Sequence, residues 1–139
     1  MLSLPYENHK EVTKAVLHEV YKCEICGNVI EVLHGGAGEL VCCGAPMKCM
    51  PEQELETGNE KHKPVVETYP DKIIVKVGSV PHPMEEKHFI QWIEILTKEG
   101  QVFRKYLTPG SAPEAVFPAV SSILKVREYC NIHGLWQTK

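Results

Sequence analysis

What this 139-residue chain lacks narrows its class first. No apolar run reaches the roughly 18 residues that a membrane-crossing helix needs, so no membrane partner is expected. The formal charge of −3 offers no basic face of the kind nucleic-acid binders carry. The opening residues, MLSLPYENHK, have no basic start followed by an apolar core. No secretory signal is read there, and a cytoplasmic protein is the expectation. There are no internal repeats and no low-complexity tracts. The length suffices for one ordinary domain, or for a very small metal-stapled domain joined to one of about 90 residues.

Six cysteines and seven histidines then need an explanation. Close clusters of cysteine in a cytosolic chain favour metal, whereas a secreted mini-protein would use disulfides. Four of the six cysteines fall between Cys23 and Cys43. The loop Cys23-Glu24-Ile25-Cys26 can set two thiolates on one side of an ion, and Cys42-Cys43 can close a tetrahedron. Neighbouring residues of an extended chain point to opposite sides. The backbone must therefore bend at Cys42-Cys43, and a distorted tetrahedron is expected. On these residues alone zinc and iron stand level, because thiolates suit both; a disulfide pair is a third reading. Cys49 is left over and is read as a small buried apolar side chain. His9, His18 and His34 have no motif around them and are read as surface or loop residues.

Along the chain, residues 1–19 read as an extension, in which Val12, Ala15, Val16 and Glu19 fit a short amphipathic helix. Residues 20–49 read as short strands and knuckles with little core, so metal must supply much of their stability. Residues 50–59 are polar and acidic and read as a linker. Residues 60–139 read as a β domain. Ile73, Val75 and Val77 alternate as a half-buried strand does. Tyr69-Pro70-Asp71-Lys72 and Lys98-Glu99-Gly100-Gln101 supply turns. Ser111-Ala112-Pro113-Glu114 resembles a capping box opening one helical turn. About seven short strands with turns between them point to an antiparallel sandwich or barrel.

A second constellation is spread over this β domain: His62, then His82 and His88, then Cys130 and His133. The separation of Cys130 and His133 is that of a metal knuckle, and Gly134 allows a tight turn. His82 and His88 would share one face of a continuous strand, but Pro81 and Pro83 break it. Each histidine taken singly fits a structural role. Their gathering at the chain ends of one β domain fits it less well.

The segment YKCEICGNVIEVLHGGAGELVCCGAPM is similar to desulforedoxin, a small domain that holds one iron in four cysteine sulfurs with an adjacent pair. Residues 60–64 match the EKH-x-P segment of superoxide reductases. VGSVPHPMEEKHFIQWIE and EYCNIHGLW match the other two metal-binding segments of that family. In this order the motifs resemble the two-iron superoxide reductases of the desulfoferrodoxin family, over residues 21–136. The resemblance implies a mainly β protein: a desulforedoxin-like domain, then a neelaredoxin-like domain with an immunoglobulin-like β-sandwich, in a homodimer. It implies one iron on Cys23, Cys26, Cys42 and Cys43. It implies a second, catalytic iron ringed by His62, His82, His88 and His133, with Cys130 below. The implied reaction reduces superoxide to hydrogen peroxide with electrons from a rubredoxin-like donor. Lys61 is implied to stand above the open position, and Glu60 to cap the oxidised iron once peroxide leaves. Lys63 and Lys87 read equally well as helpers of that charge and as ordinary solvated lysines.

Two rival readings remain at this level. A dismutase would also oxidise superoxide and so evolve oxygen. A zinc-ribbon module on an immunoglobulin-like adaptor would be colourless and without redox activity.

Overall fold

The computed structural model describes residues 14–54, 61–79 and 81–139. It divides into two compact units, Met1–Met50 and Pro51–Lys139. All regular structure among the described residues is strand, so no helix here is long and apolar enough to cross a membrane.

The first unit is built from five strands of two or three residues: β1 (Val20–Lys22), β2 (Val29–Glu31), β3 (Val41–Cys42), β4 (Ala45–Pro46) and β5 (Lys48–Cys49). They form a sheet in the order β2-β1-β5 and a separate β3-β4 ribbon. Among the described residues its buried cluster is Ala15, Tyr21 and Val32, with Leu40 and Met47 packed beside it. No helix forms over Ala15, Val16 and Glu19, and Val12 lies outside the described residues. The reason is local. The Glu19 carboxylate accepts the Val16 N–H at 2.8 Å, and His18 donates its N–H to Val32 O at 2.8 Å. These bonds close a turn that lays the chain against β2 and compete with helical ones. Ala15 is pressed so closely to Gly35 that a Cβ there would stand 2.0 Å from the Ala15 carbonyl oxygen. Cys49 is exposed, not buried. It lies on β5, an edge strand with β1 as its neighbour.

The second unit carries seven strands: β6 (Pro64–Thr68), β7 (Lys72–Val77), β8 (Ile90–Thr97), β9 (Val102–Tyr106), β10 (Glu114–Pro118), β11 (Ile123–Cys130) and β12 (Gly134–Thr138). They form two antiparallel sheets, β10-β7-β6 and β12-β11-β8-β9. Ile73, Val75, Val77, Ala115 and Phe117 of one sheet share a core with Ile93, Ile95 and Val126 of the other. This is the sandwich the alternation of apolar residues predicts. No helical turn opens at Ser111. Its hydroxyl donates to Thr108 O at 2.6 Å, and Glu114 enters the β10–β7 ladder opposite Lys76. Ladder pairing takes the backbone groups that a cap would need. Residues 51–54 of the stretch read as linker belong to this unit. Gln53 bridges to Trp136 in parallel, while 55–60 lie outside the described residues.

One face of the larger sheet holds a charged network. Glu94 and Arg127 are both fully buried. Arg127 Nε donates to Glu94 Oε2 at 2.6 Å, and Arg104 Nε donates to Glu94 Oε1 at 2.8 Å. Arg127 also reaches Glu52 at 2.9 Å, and Lys125 reaches the same carboxylate at 2.8 Å. A buried charge stripped of one partner is costly. Arg127→Met should therefore destabilise the second unit by about 3 kcal/mol. Both tryptophans, Trp92 and Trp136, lie in this unit, so denaturation followed by tryptophan fluorescence measures it directly. A loss below about 1 kcal/mol would mean that Arg104 alone satisfies Glu94.

Candidate metal centres

The first unit brings Cys23, Cys26, Cys42 and Cys43 together, with their sulfurs all within 4.8 Å of one another. Cys26 and Cys42 sulfurs are 3.6 Å apart, and Cys42 and Cys43 sulfurs 4.0 Å. Sulfurs bound tetrahedrally at about 2.3 Å to one ion stand roughly 3.8 Å apart, so the spacing fits. The adjacent pair reaches one point because Cys43 adopts a left-handed backbone, φ 54°, with Gly44 following at φ 74°. This is the bend the sequence demands, and a non-glycine residue bears its cost. The backbone N–H groups of Cys26 and Ile25 hold the Cys23 thiol down at about 6. Cys43 is instead pushed up to about 12 by the surrounding sulfurs of Cys26, Cys23 and Cys42. Four thiolates cannot share this space without a cation to offset their charge.

The second unit gathers His62, His82, His88, Cys130 and His133, whose donor atoms also lie within 4.8 Å of one another. They come from four places in the chain. His62 precedes β6. His82 and His88 flank a tight turn closed by paired Glu85 and His88 backbone bonds of 2.9 and 3.0 Å. Cys130 ends β11, and His133 precedes Gly134, whose φ of 87° turns the chain into β12.

The four rings form a closed circuit. His62 meets His82 (4.8 Å between centroids), His82 meets His88 (4.7 Å), His88 meets His133 (5.0 Å) and His133 meets His62 (4.6 Å). Each pair is edge-to-face, with interplanar angles from 64° to 84°. His62 Nε2 and His133 Nδ1 stand 3.0 Å apart. That is about the spacing of nitrogens bound at right angles, at about 2.1 Å each, to a shared ion. Cys130 Sγ lies 3.8 Å from His133 Nδ1. Cys130 is fully buried, while His88 is half-buried and His133 exposed. The sulfur therefore sits on the protein side of a ring of imidazoles that reaches the surface.

Two observations fit the pocket to a cation. The buried Nε2 atoms of His82 and His88 have no hydrogen-bond partner, a costly state that metal binding relieves. The His82 tautomer is also set, because Nδ1 donates to the Pro83 carbonyl at 2.6 Å and Nε2 is left as the lone-pair donor. Burial pushes the His82 pKa down to about 4, against the opposing pull of that carbonyl. The ring is then neutral and ready to ligate at ordinary pH. Burial raises the Cys130 thiol pKa, opposed by the backbone N–H groups of His133 and Ile132; the His133 N–H lies 3.4 Å from the sulfur.

Every ligand candidate from the sequence lies in one of these two clusters. Lys61 and Lys63 are half-buried beside His62, and Lys87 is exposed beside His88. Glu60 lies outside the described residues. Two supporting residues were not among the site candidates. Trp136 stacks on the His62 ring at 4.9 Å and 16° and donates Nε1–H to His133 O at 3.2 Å. Gln53 Nε2 donates to that same carbonyl at 2.8 Å. Trp136 stood within the EYCNIHGLW segment and so was visible there. Gln53 stood in polar sequence with no periodic signal, and only the fold gives it a role.

The desulfoferrodoxin family model matches residues 54–139, and its N-terminal-domain model matches residues 16–50. The chain belongs to the desulfoferrodoxin family. It is 63% identical over 121 residues to a desulfoferrodoxin of Syntrophotalea carbinolica, covering 87% of this chain and 95% of that one. It is 36% identical over 98 residues to a superoxide reductase of Pyrococcus abyssi, covering 58% of this chain and 85% of that one. The crystal structure of a superoxide reductase from Treponema pallidum superposes with a TM-score of 0.72 at 29% identity, covering 87% of this chain and 97% of that one. In this chain, Cys42→Ser should empty the four-cysteine cluster and unfold much of the first unit, because metal binding there is folding energy. Iron at the histidine–cysteine cluster should remain. Metal analysis and the visible spectrum check this, and loss of both irons together would contradict it.

Proposed function

We propose that the protein is a superoxide reductase with two iron ions per chain, and that His62, His82, His88, His133 and Cys130 hold the catalytic one. The observation that carries this reading is the closed circuit of four imidazoles over a buried thiol. Cys23, Cys26, Cys42 and Cys43 hold the other iron. The bound ferrous ion supplies the one electron that, with two protons, converts superoxide to hydrogen peroxide. Four neutral imidazoles and one thiolate leave a local charge of about +1 around a ferrous ion, which favours an anionic substrate. The Cys130 thiolate would give electron density to an ion held there, as thiolates do to haem iron. The His133 and Ile132 backbone N–H groups hold that sulfur in place.

The formal charge of −3 repels superoxide at long range. A local cation must offset it, and Lys61, next to His62, is assigned that part. Lys63 and Lys87 assist it. Glu60 is assigned a role at the same site after the product leaves. Family membership supports a rubredoxin-like carrier as electron donor, a homodimer as the working form, and the cytoplasm as its place of action.

A unit charge about 4 Å from the substrate is worth roughly 1 kcal/mol in water and about 4 at an effective dielectric of 20. Lys61→Ala should therefore slow the bimolecular oxidation of the reduced protein by about tenfold, and flatten its fall with rising salt. Glu60→Ala should leave that rate unchanged. Stopped-flow mixing with superoxide measures all three proteins, and peroxide must form without oxygen. Oxygen evolution would favour the dismutase reading. A Lys61→Ala rate equal to wild type at low salt would move the steering charge elsewhere.

A further inference from the structure

The histidine ligand candidates of the second unit are held by identifiable neighbours. His82 is oriented by the Pro83 carbonyl. His62 is stacked on Trp136. His133 has its carbonyl gripped by Gln53 and Trp136. The device for His88 is Asn131. Its Oδ1 accepts the Phe89 N–H at 2.9 Å, and its Nδ2 donates to Lys87 O at 3.0 Å. Its own N–H donates to Phe89 O at 3.2 Å. Lys87 and Phe89 are the two neighbours of His88, so one side chain grips the backbone on both sides of that ring. Asn131 is also the residue directly after Cys130.

We infer that Asn131 is a positioning residue for the catalytic centre, fixing the His88 ring against the Cys130 sulfur. The inference rests on the assignment of His88 and Cys130 as ligands. The amide is the right group because it offers one acceptor and one donor in a plane, matching one N–H and one carbonyl on either side of His88. Asp is isosteric but keeps only the acceptor. Ala keeps neither. A supporting group that orients a ligand typically changes metal retention by about 10–100-fold when lost. Because the clamp joins the sulfur's neighbour to the ring, its loss should also alter the thiolate-to-iron charge-transfer band. A general loss of stability would not move that band.

The test uses the full chain with both irons loaded, as wild type, Asn131→Asp, Asn131→Ala and His88→Ala. Three quantities are read: the rate at which the catalytic iron passes to a ferrous chelator, the energy of the charge-transfer band of the oxidised protein, and thermal unfolding. The four-cysteine absorption serves as internal control. We expect Asn131→Ala to release the catalytic iron about tenfold faster or more, with a shifted band and an unchanged four-cysteine spectrum. Asn131→Asp should fall between Asn131→Ala and wild type in both readouts, because half of the clamp survives. Wild-type release and band energy in both variants would overturn the inference, even with a lowered melting temperature; Asn131 would then be only a staple of the loop. Retention of the catalytic iron by His88→Ala with an unchanged band would instead remove His88 from the ligand set, and the inference with it.

Discussion

The register of β11 between β8 and β12 is the constraint on which the histidine–cysteine cluster depends. β11 pairs Arg127 with Glu94, Glu128 with Ile93 and Tyr129 with Trp92, but then skips one residue and pairs Cys130 with Ile90. By strict alternation Ile90 would share a face with Trp92 and Glu94. The bulge turns it into the core beside Cys130. Bulges gather near active sites because they re-aim a side chain without ending the pairing. Here the shift brings the start of β8, and with it His88, to the end of β11. On the other side, the return at Gly134 places His133 over the same sulfur and seats Trp136 beneath His62.

Cooperative hydrogen bonding and burial keep this geometry in place. The Glu94–Arg127 pair lies three residues back along β11 from Cys130 and ties β11 to β8 by side chains as well as by the ladder. Glu52 joins the same network, so the segment entering the unit is held where Gln53 can reach the His133 carbonyl. Such networks are strong when every member is satisfied and costly when one is lost. The charged face thus fixes strand register upstream of the cluster, and the apolar face fixes it from the core.

The apolar alternation of Ile73, Val75 and Val77 made the sandwich legible, and the Cys and His motifs made both clusters legible. Spacing alone did not order the histidines: residues up to 71 apart in sequence meet here, as His62 and His133 do. Only knowledge of such motifs linked them in advance. The misread elements have a common physical origin. Residues 14–19 and 111–114 carry locally helical patterns, but side-chain-to-backbone bonds and ladder pairing take the groups a helix would use. The expectation for Cys49 failed because burial depends on strand neighbours, and β5 is an edge. Gln53 and Asn131 escaped notice for another reason. Each acts by gripping backbone atoms, and a backbone target leaves no partner residue type to search for.

The two clusters differ in what holds them. The second unit has eleven buried residues in its main cluster, Cys130 among them. The first has three. A core of eleven buried residues offsets the cost of burying two histidine nitrogens that no protein group satisfies. The four cysteines have no such core, and the neighbouring sulfurs of Cys26 and Cys23 push the Cys43 and Cys42 thiols up. Their ion must supply the folding energy as well as satisfy the sulfurs. The same element can thus serve as a reaction centre in one unit and as the structural core of the other.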